Sequence, residues 1–523
     1  MAESGMTAPV TPGRWPVRLA GLAAVLLFLW LVARFWHPVY GFTRFLQLDS
    51  SNDNTKIAAF RSTPVFVDRE SGGYDGLYYA QIAYHPWLNA AELVSAVDNI
   101  PYRARRILAP LLSWVIALGN PAWIVHVYSL LNVAAWLLLG AWLWSLLRVE
   151  DVRGWIAWAG LLFSAGALYS VRLALPDLVA LAILAGAMLA LERGRRGAAL
   201  GALAAAGLAR ETSLIALPGL WERPWLSKRN AVGALLAAAP LAAWIGYVRW
   251  RVGPGGAGMR NFAWPLVAWI GKWTATFAAL RTEADLLVWA TLLATVGLTV
   301  QAAFFLTRPR WQDRWWRMGA AFAVLFLFLG SAVWEGLPGA ATRVLLPLSL
   351  AFNVLVHRTR APLWWLLTGN LTVAAGLLAL EDVPRDPGEI AATRAHGTAC
   401  VATLREGWFG LERDRRDAWT WCRGRCTVAL EAWPKDAQAL RLEFEMRSLV
   451  PRAVVARQGG RELWRGRVGV ERTPRQSVPV RLTGGRTTLE FDTDAPAIRE
   501  GPDAGARLLA FALYDARLVV SAP

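Results

Sequence analysis

From Leu19 to Leu380 the chain repeats apolar runs long enough to cross a bilayer, roughly 20 residues each, and then the runs stop. A first run covers Leu19–Val32. Further spans are expected near Trp123–Leu147, Gly154–Ser170, Leu173–Leu191, Ala231–Val248, Leu286–Leu306, Met318–Trp334, Val344–Val356 and Leu363–Leu380. Gly197–Trp221 is too long for one straight helix and too short for two full ones, so two short helices meeting at Ala209-Arg210-Glu211-Thr212 are expected there. That makes about eleven helices. The apolar stretch Ile107–Leu118 is short and reads as an interfacial helix. From about Gly407 the period changes: CTVALEAW, LRLEFEMRS, RAVVAR, QSVPVRL and RTTLEFD alternate or run β-rich between glycine turns, as in a β-sandwich. The expected fold class is a multi-span α-helical membrane protein followed by a small all-β sandwich. The expected divisions are a tail at 1–18, a membrane domain at 19–380 with a large external loop at 36–120, a linker at 381–406 and the sandwich at 407–523.

Composition agrees with a membrane chain: 55% of the 523 residues are hydrophobic and 30 are tryptophan, with mean hydropathy +0.34. Tryptophans gather near run ends (Trp30, Trp36, Trp221, Trp225, Trp315, Trp316, Trp364, Trp365), as in an interfacial belt. The net charge of +17 is read as basic cytoplasmic loops facing anionic lipid, without a nucleic-acid partner. Six basic segments carry it: Gly13–Arg18, Arg148–Arg153, Glu192–Gly197, Glu222–Arg229, Thr307–Arg317 and His357–Arg360. Putting all six inside leaves an even number of crossings between neighbours, with the N-terminus cytoplasmic and the C-terminal domain outside. LVARFWHP lacks a small-x-small cleavage pattern, so the first run reads as a retained signal anchor.

This parity sends the polar motifs to the outer edge. Arg172 and Asp177, Arg210 and Glu211, and Glu335 and Arg343 join the loop GGYDGLYYAQIAYHP (Gly72–Pro86) on one side. Ionisable residues at that depth are costly and point to function. Asp75 has two readings, a helix N-cap before Gly76 or a general base for inverting sugar transfer, taking the proton of an attacking hydroxyl. Tyr74, Tyr78 and Tyr79 suit either the interface belt or stacking on sugar faces. Arg103, Arg105 and Arg106 in IPYRARRILAP suit either lipid phosphates or the phosphate of a lipid-linked donor.

GYDGLYYAQIAYHP followed by YRARRILAPLLSW resembles the first external loop of GT-C-fold glycosyltransferases. The similarity is to bacterial members related to the GPI-anchor mannosyltransferases, which carry a WDG-type motif, an aromatic pair and an "IA" helix. LALPD and LARETS are similar to outer-edge motifs of those bacterial proteins, so the resemblance spans roughly Leu19–Leu380. It implies a loop aspartate acting as base, matched here by Asp75, and polyprenyl-phosphate sugars as donors. Tyr74 stands where tryptophan is common, and no tight acidic pair follows the first span, so that Asp75 works either alone or with Asp68, Asp98 or Asp177. The β-rich tail resembles the jelly-roll-type domains that follow some bacterial GT-C enzymes, for which carbohydrate binding is suggested. Trp408, Trp419, Trp421 and Trp433 would serve stacking or core packing.

All three cysteines, Cys400, Cys422 and Cys426, lie in this tail. An oxidising compartment permits one disulfide and leaves one thiol, with the pairing open. No HExxH, P-loop or dinucleotide fingerprint occurs, and no cofactor is called for. A divalent metal beside Asp75 has no ligand cluster behind it. The expectation is an inner-membrane glycosyltransferase that moves a sugar from a polyprenyl-phosphate donor to a surface glycan, lipid or protein on the periplasmic side. The alternatives are an O-antigen ligase or polymerase-like enzyme and a flippase of lipid-linked sugars.

Overall fold

The computed structural model describes residues 15–69, 71–255, 258–435, 439–501 and 505–520. Most of the expected N-terminal tail and the middle of the glycine-rich loop at Gly253–Gly258 lie outside the described residues. The chain forms two compact units, one of residues up to Arg34 with Tyr74–Val383, the other of Phe35–Gly73 with Pro384–Pro523.

The first unit is helical. Four helices are long and apolar enough to cross a membrane: Trp15–Ala33, Pro121–Leu147, Lys228–Val252 and Leu286–Thr307. Val152–Leu162 and Ala165–Arg172 make a fifth if taken as one span bent by 40°, where Ser164 caps the second piece. Each begins within a few residues of its expected start. Several other expected spans are present as shorter or broken helices, among them Pro176–Glu192, Arg314–Phe328, Leu346–Arg358 and the pair Leu363–Gly369 and Thr372–Ala379. A polar seam joins Leu286–Thr307, Leu346–Arg358 and the break before Thr372–Ala379: Asn353 and Asn370 exchange side-chain hydrogen bonds, while Ser349 donates to Gln301 and Gln301 to the carbonyl of Gly369. Every group in this seam has a partner, as a dry interior demands.

Charge is segregated along these helices. Glu192 accepts from Arg358 and from the indole of Trp315. Arg360 bonds Asp151 at 2.6 Å, Arg196 bonds Glu222 at 2.7 Å, and Arg317 donates to the carbonyl of Trp221. Five of the six basic segments are therefore tied together at one end of the unit. Asp177 stands at the opposite end of helix Pro176–Glu192 from Glu192.

The segment expected as two short helices is one helix, Arg196–Ala209, and a tighter return through the 3-10 turn Glu211–Ala216 and Leu217–Leu220. Fourteen helical residues rise only about 21 Å. The Arg196–Glu222 pair closes the base of this hairpin, so its apex at Arg210 and Glu211 is held inside the helical unit.

The second unit is a sandwich. One sheet orders strands Glu389–Ala395, Thr398–Leu404, Cys426–Trp433, Arg486–Thr493, Arg452–Gln458 and Arg461–Val468. The other orders Glu412–Arg413, Ala418–Trp421, Phe511–Val520, Ala439–Ser448 and Gln476–Arg481. Alternate residues such as Val428, Leu430, Phe444 and Phe491 fill the space between. Trp408 packs in this core, Trp421 in a neighbouring cluster beside Trp419, and Trp433 lies edge-on to Tyr40. Cys422 and Cys426 form the disulfide and Cys400 is a buried free thiol.

Two boundaries differ from expectation. The sheet starts at Glu389, inside the segment 381–406 read as linker, because ATRAHGTACVATL is itself a hairpin turning at Gly397. The first half of the segment expected as an external loop belongs to the sandwich unit: Phe35, Val39, Phe45, Leu46, Ile57 and Phe60 are fully buried, and Val39 clusters with Ala399 and Val401. Its apolar residues are too widely spaced to show a period.

Candidate active site

Helix Gly76–Tyr84 opens directly after Asp75, and all of its residues except Tyr78 are buried. Gly72 and Gly73, just before Tyr74 in the chain, take φ of 71° and 68°, in the left-handed region that favours glycine. Gly76 is needed for a different reason: a Cβ there would overlap the carbonyl oxygen of Leu173. The helix start is thereby pressed against the link leading to Asp177.

Asp75 holds the N-cap position, yet its carboxylate makes no capping bond. It accepts instead from both terminal nitrogens of Arg103, at 2.6 and 2.8 Å. The same guanidinium reaches Asp98 at 3.0 and 2.8 Å. One arginine, itself fixed by a helix that Asn99 caps, therefore orients two carboxylates through fork geometry. About a third of the Asp75 side chain stays exposed (34%). A carboxylate offers about four lone-pair directions, so Asp75 can still accept a hydrogen bond from a hydroxyl.

A second arginine is tied up likewise. Arg106 donates to both oxygens of Glu211 at 2.9 and 2.8 Å, to the Tyr79 hydroxyl at 2.9 Å and to the Tyr102 hydroxyl at 3.0 Å. Tyr79 is fully buried, so it serves this arginine and presents no free face. At the hairpin apex Arg210 pairs with Asp177, whose other oxygen lies 3.7 Å from Arg343. Asp177 sits in the first helical turn, where the helix dipole favours an anion. Arg343 also donates to the Tyr74 hydroxyl at 2.6 Å.

These groups line one cavity of about 710 Å³. Tyr74, Asp75, Tyr79, Arg103, Arg105 and Arg106 come from the early loop, and Asp177, Arg210, Glu211 and Arg343 from three distant segments. Leu175, Phe262, Leu325, Leu329 and Val333 give the cavity an apolar wall. Among the described residues, Arg105 is the lining arginine that pairs with no carboxylate; its guanidinium lies 5.9 Å from the Tyr102 ring centroid.

Three expected residues stand apart. Tyr78 lies outside the lining but packs under Arg103, 5.3 Å from ring centroid to guanidinium. Glu335 pairs with Arg260 at an exposed position. Arg172 ends its helix outside the lining. Two further residues join the lining beyond those expected, Tyr102 and Asn261, which donates to the Tyr102 hydroxyl at 3.3 Å. Tyr102 was detectable, four residues before Arg106 in the same arginine-rich segment. Asn261 was not, being 159 residues away in a loop. Among the described residues no group of three or more His, Cys, Asp or Glu is placed to hold a metal ion.

No family model matches the chain, and no curated protein matches it in sequence. Among solved structures the chain is similar to the arabinosyltransferase EmbB from Mycobacterium smegmatis, at 14% identity and TM-score 0.26. That similarity covers 99% of this chain and 66% of EmbB, so the chain spans just under two thirds of that protein's length.

Proposed function

We propose that the protein is an inverting membrane glycosyltransferase that takes a sugar from a polyprenyl-phosphate donor. Asp75 is its general base. An acceptor hydroxyl attacks the anomeric carbon and gives its proton to Asp75, while the bond from that carbon to the phosphate oxygen breaks and polyprenyl phosphate leaves. The observation that carries this reading is the arrangement around Asp75: the carboxylate makes no cap and is oriented by Arg103 inside a cavity with a charged floor and an apolar wall. Such a cavity suits a ligand with an anionic head and a lipid tail.

In this account Arg105 and Arg343 receive the donor phosphate, since one has no acidic partner and the other only a long one. Tyr74 borders the sugar, while Tyr78 backs the Arg103 guanidinium from outside the lining. Arg103, Arg106, Arg210, Asp177 and Glu211 hold the frame. The basic end faces the cytoplasm and the cavity end faces the periplasm, with a surface glycan, lipid or protein as acceptor.

The test is turnover by the full chain in lipid, offered a panel of short-chain polyprenyl-phosphate sugars. Consumption of one donor with inverted product is expected. Consumption of none, together with movement of a lipid-linked sugar across proteoliposomes, would establish a transporter instead.

A further inference from the structure

The sandwich unit carries a second cavity, of about 450 Å³, between its six-stranded sheet and the segment Tyr40–Arg69. Strand register explains its floor. Cys400, Ala402, Val428, Leu430 and Leu489 point into the sandwich core, so alternate positions face outward. Val401, Glu431 and Arg486 then lie in one row across three strands, beside Thr403 and Trp433.

The chemistry of this cleft is lopsided. Among the described residues lining it, six are cationic (Lys56, Arg61, Arg69, Arg405, Lys435, Arg486) and two are acidic. Both acids are engaged: Glu431 lies 3.6 Å from Arg486, and Asp386 accepts from the backbone of Gly388. Arg69, Arg405 and Lys435 pair with no carboxylate among the described residues. Tyr40 and Trp433, both half-buried, meet edge-on at 6.2 Å and leave ring surface at the cleft.

Like charges gathered in one concavity repel one another unless an anion joins them. Aromatic faces beside polar groups favour flat, hydroxylated rings. A cleft of this size takes a short oligomer and is too small for a protein helix or a nucleic-acid duplex. We propose that it is a binding subsite for an anionic glycan, with sugar rings against Trp433 and Tyr40 and carboxylate or phosphate groups on Arg69, Arg405 and Lys435. The inference rests on the glycosyl-transfer reading for its purpose, which is to hold the acidic acceptor chain. It does not depend on that reading for its binding chemistry.

The experiment uses the full chain in nanodiscs of neutral phosphatidylcholine, titrated by calorimetry. The probes are octagalacturonate, a phosphomannan oligosaccharide, neutral maltooctaose and inorganic phosphate. One acidic oligosaccharide should bind at least about tenfold more tightly than maltooctaose, and more weakly as salt rises. Which one binds separates a carboxylate from a phosphate ligand. Arg69→Glu and Lys435→Glu alter exposed side chains on opposite walls, so both variants should fold, and each should weaken binding at least about fivefold. Equal binding of maltooctaose, unchanged binding in both variants, or binding of inorganic phosphate alone would each overturn the proposal. Binding is read without turnover. An inactive preparation that binds the acidic oligosaccharide therefore supports the cleft, and an active one that does not overturns it.

Discussion

At the scale of single residues, the cavity separates arginines that hold the protein from arginines that can hold a ligand. Arg106 is buried and gives its donors to Glu211 and two tyrosines. Arg106→Gln strands the Glu211 carboxylate and should destabilise by about 3–5 kcal/mol. The double variant with Glu211→Gln should recover part of that loss, and thermal unfolding in detergent checks both. Arg105 has no such duty. Arg105→Gln should leave the unfolding temperature within experimental error yet raise KM for the donor about tenfold, the effect of losing one phosphate contact. Cys400 supplies a pH prediction. Burial pushes its thiol up to about 12, so the folded protein keeps the proton that the unfolded chain releases near the ordinary value of 9.0. This contribution to stability is complete below about pH 9 and declines as pH rises toward 12. Iodoacetamide at pH 8.5 should therefore leave Cys400 unmodified until denaturant is added, as read by mass spectrometry.

At the scale of elements, the position of Asp75 depends on how closely its helix approaches the link before Asp177. Gly76→Ala forces a methyl onto the Leu173 carbonyl and should cost about 1–3 kcal/mol, as overpacking does, with activity lost beyond what the stability change explains. Long apolar helices were legible because a bilayer imposes a length. Helix Pro121–Leu147 starts two residues before its expected start at Trp123 and shares its end. The early loop was legible in its chemistry, since Asp75 and the arginines Arg103 to Arg106 lie within 32 residues of sequence. Three features were not legible. Pairing of Arg106 with Glu211 spans 105 residues and carries no local signal. The return at Glu211–Ala216 tightens into a 3-10 turn to fit a length that suits no regular helix pair. The segment Phe35–Gly73 folds with strands more than 300 residues later, which no local pattern encodes.

At the scale of the whole molecule, the segregation of charge gives the topology a test. Five basic segments are linked at one end of the helical unit, which the positive-inside rule assigns to the cytoplasm. The native cysteines are bonded or buried, so the wild-type protein supplies a silent background for labelling. Arg195→Cys should react with an impermeant maleimide only after spheroplasts are opened. Trp264→Cys and Val470→Cys, both at exposed sites, should react on intact spheroplasts. The reverse pattern would place the cavity in the cytoplasm and remove its access to an outward-facing donor.

The central claim is that Asp75 takes the proton during sugar transfer. Its most direct measurement compares wild type with Asp75→Asn for transfer from the accepted polyprenyl-phosphate sugar, with donor binding followed in parallel. Asparagine keeps the shape and one acceptor beside Arg103 but cannot take a proton at neutral pH. The account predicts donor binding within a few-fold of wild type and a rate lower by about 100-fold or more, the range of a general base. A variant that binds donor and transfers sugar at the wild-type rate would contradict it, leaving Asp75 as an anchor for Arg103.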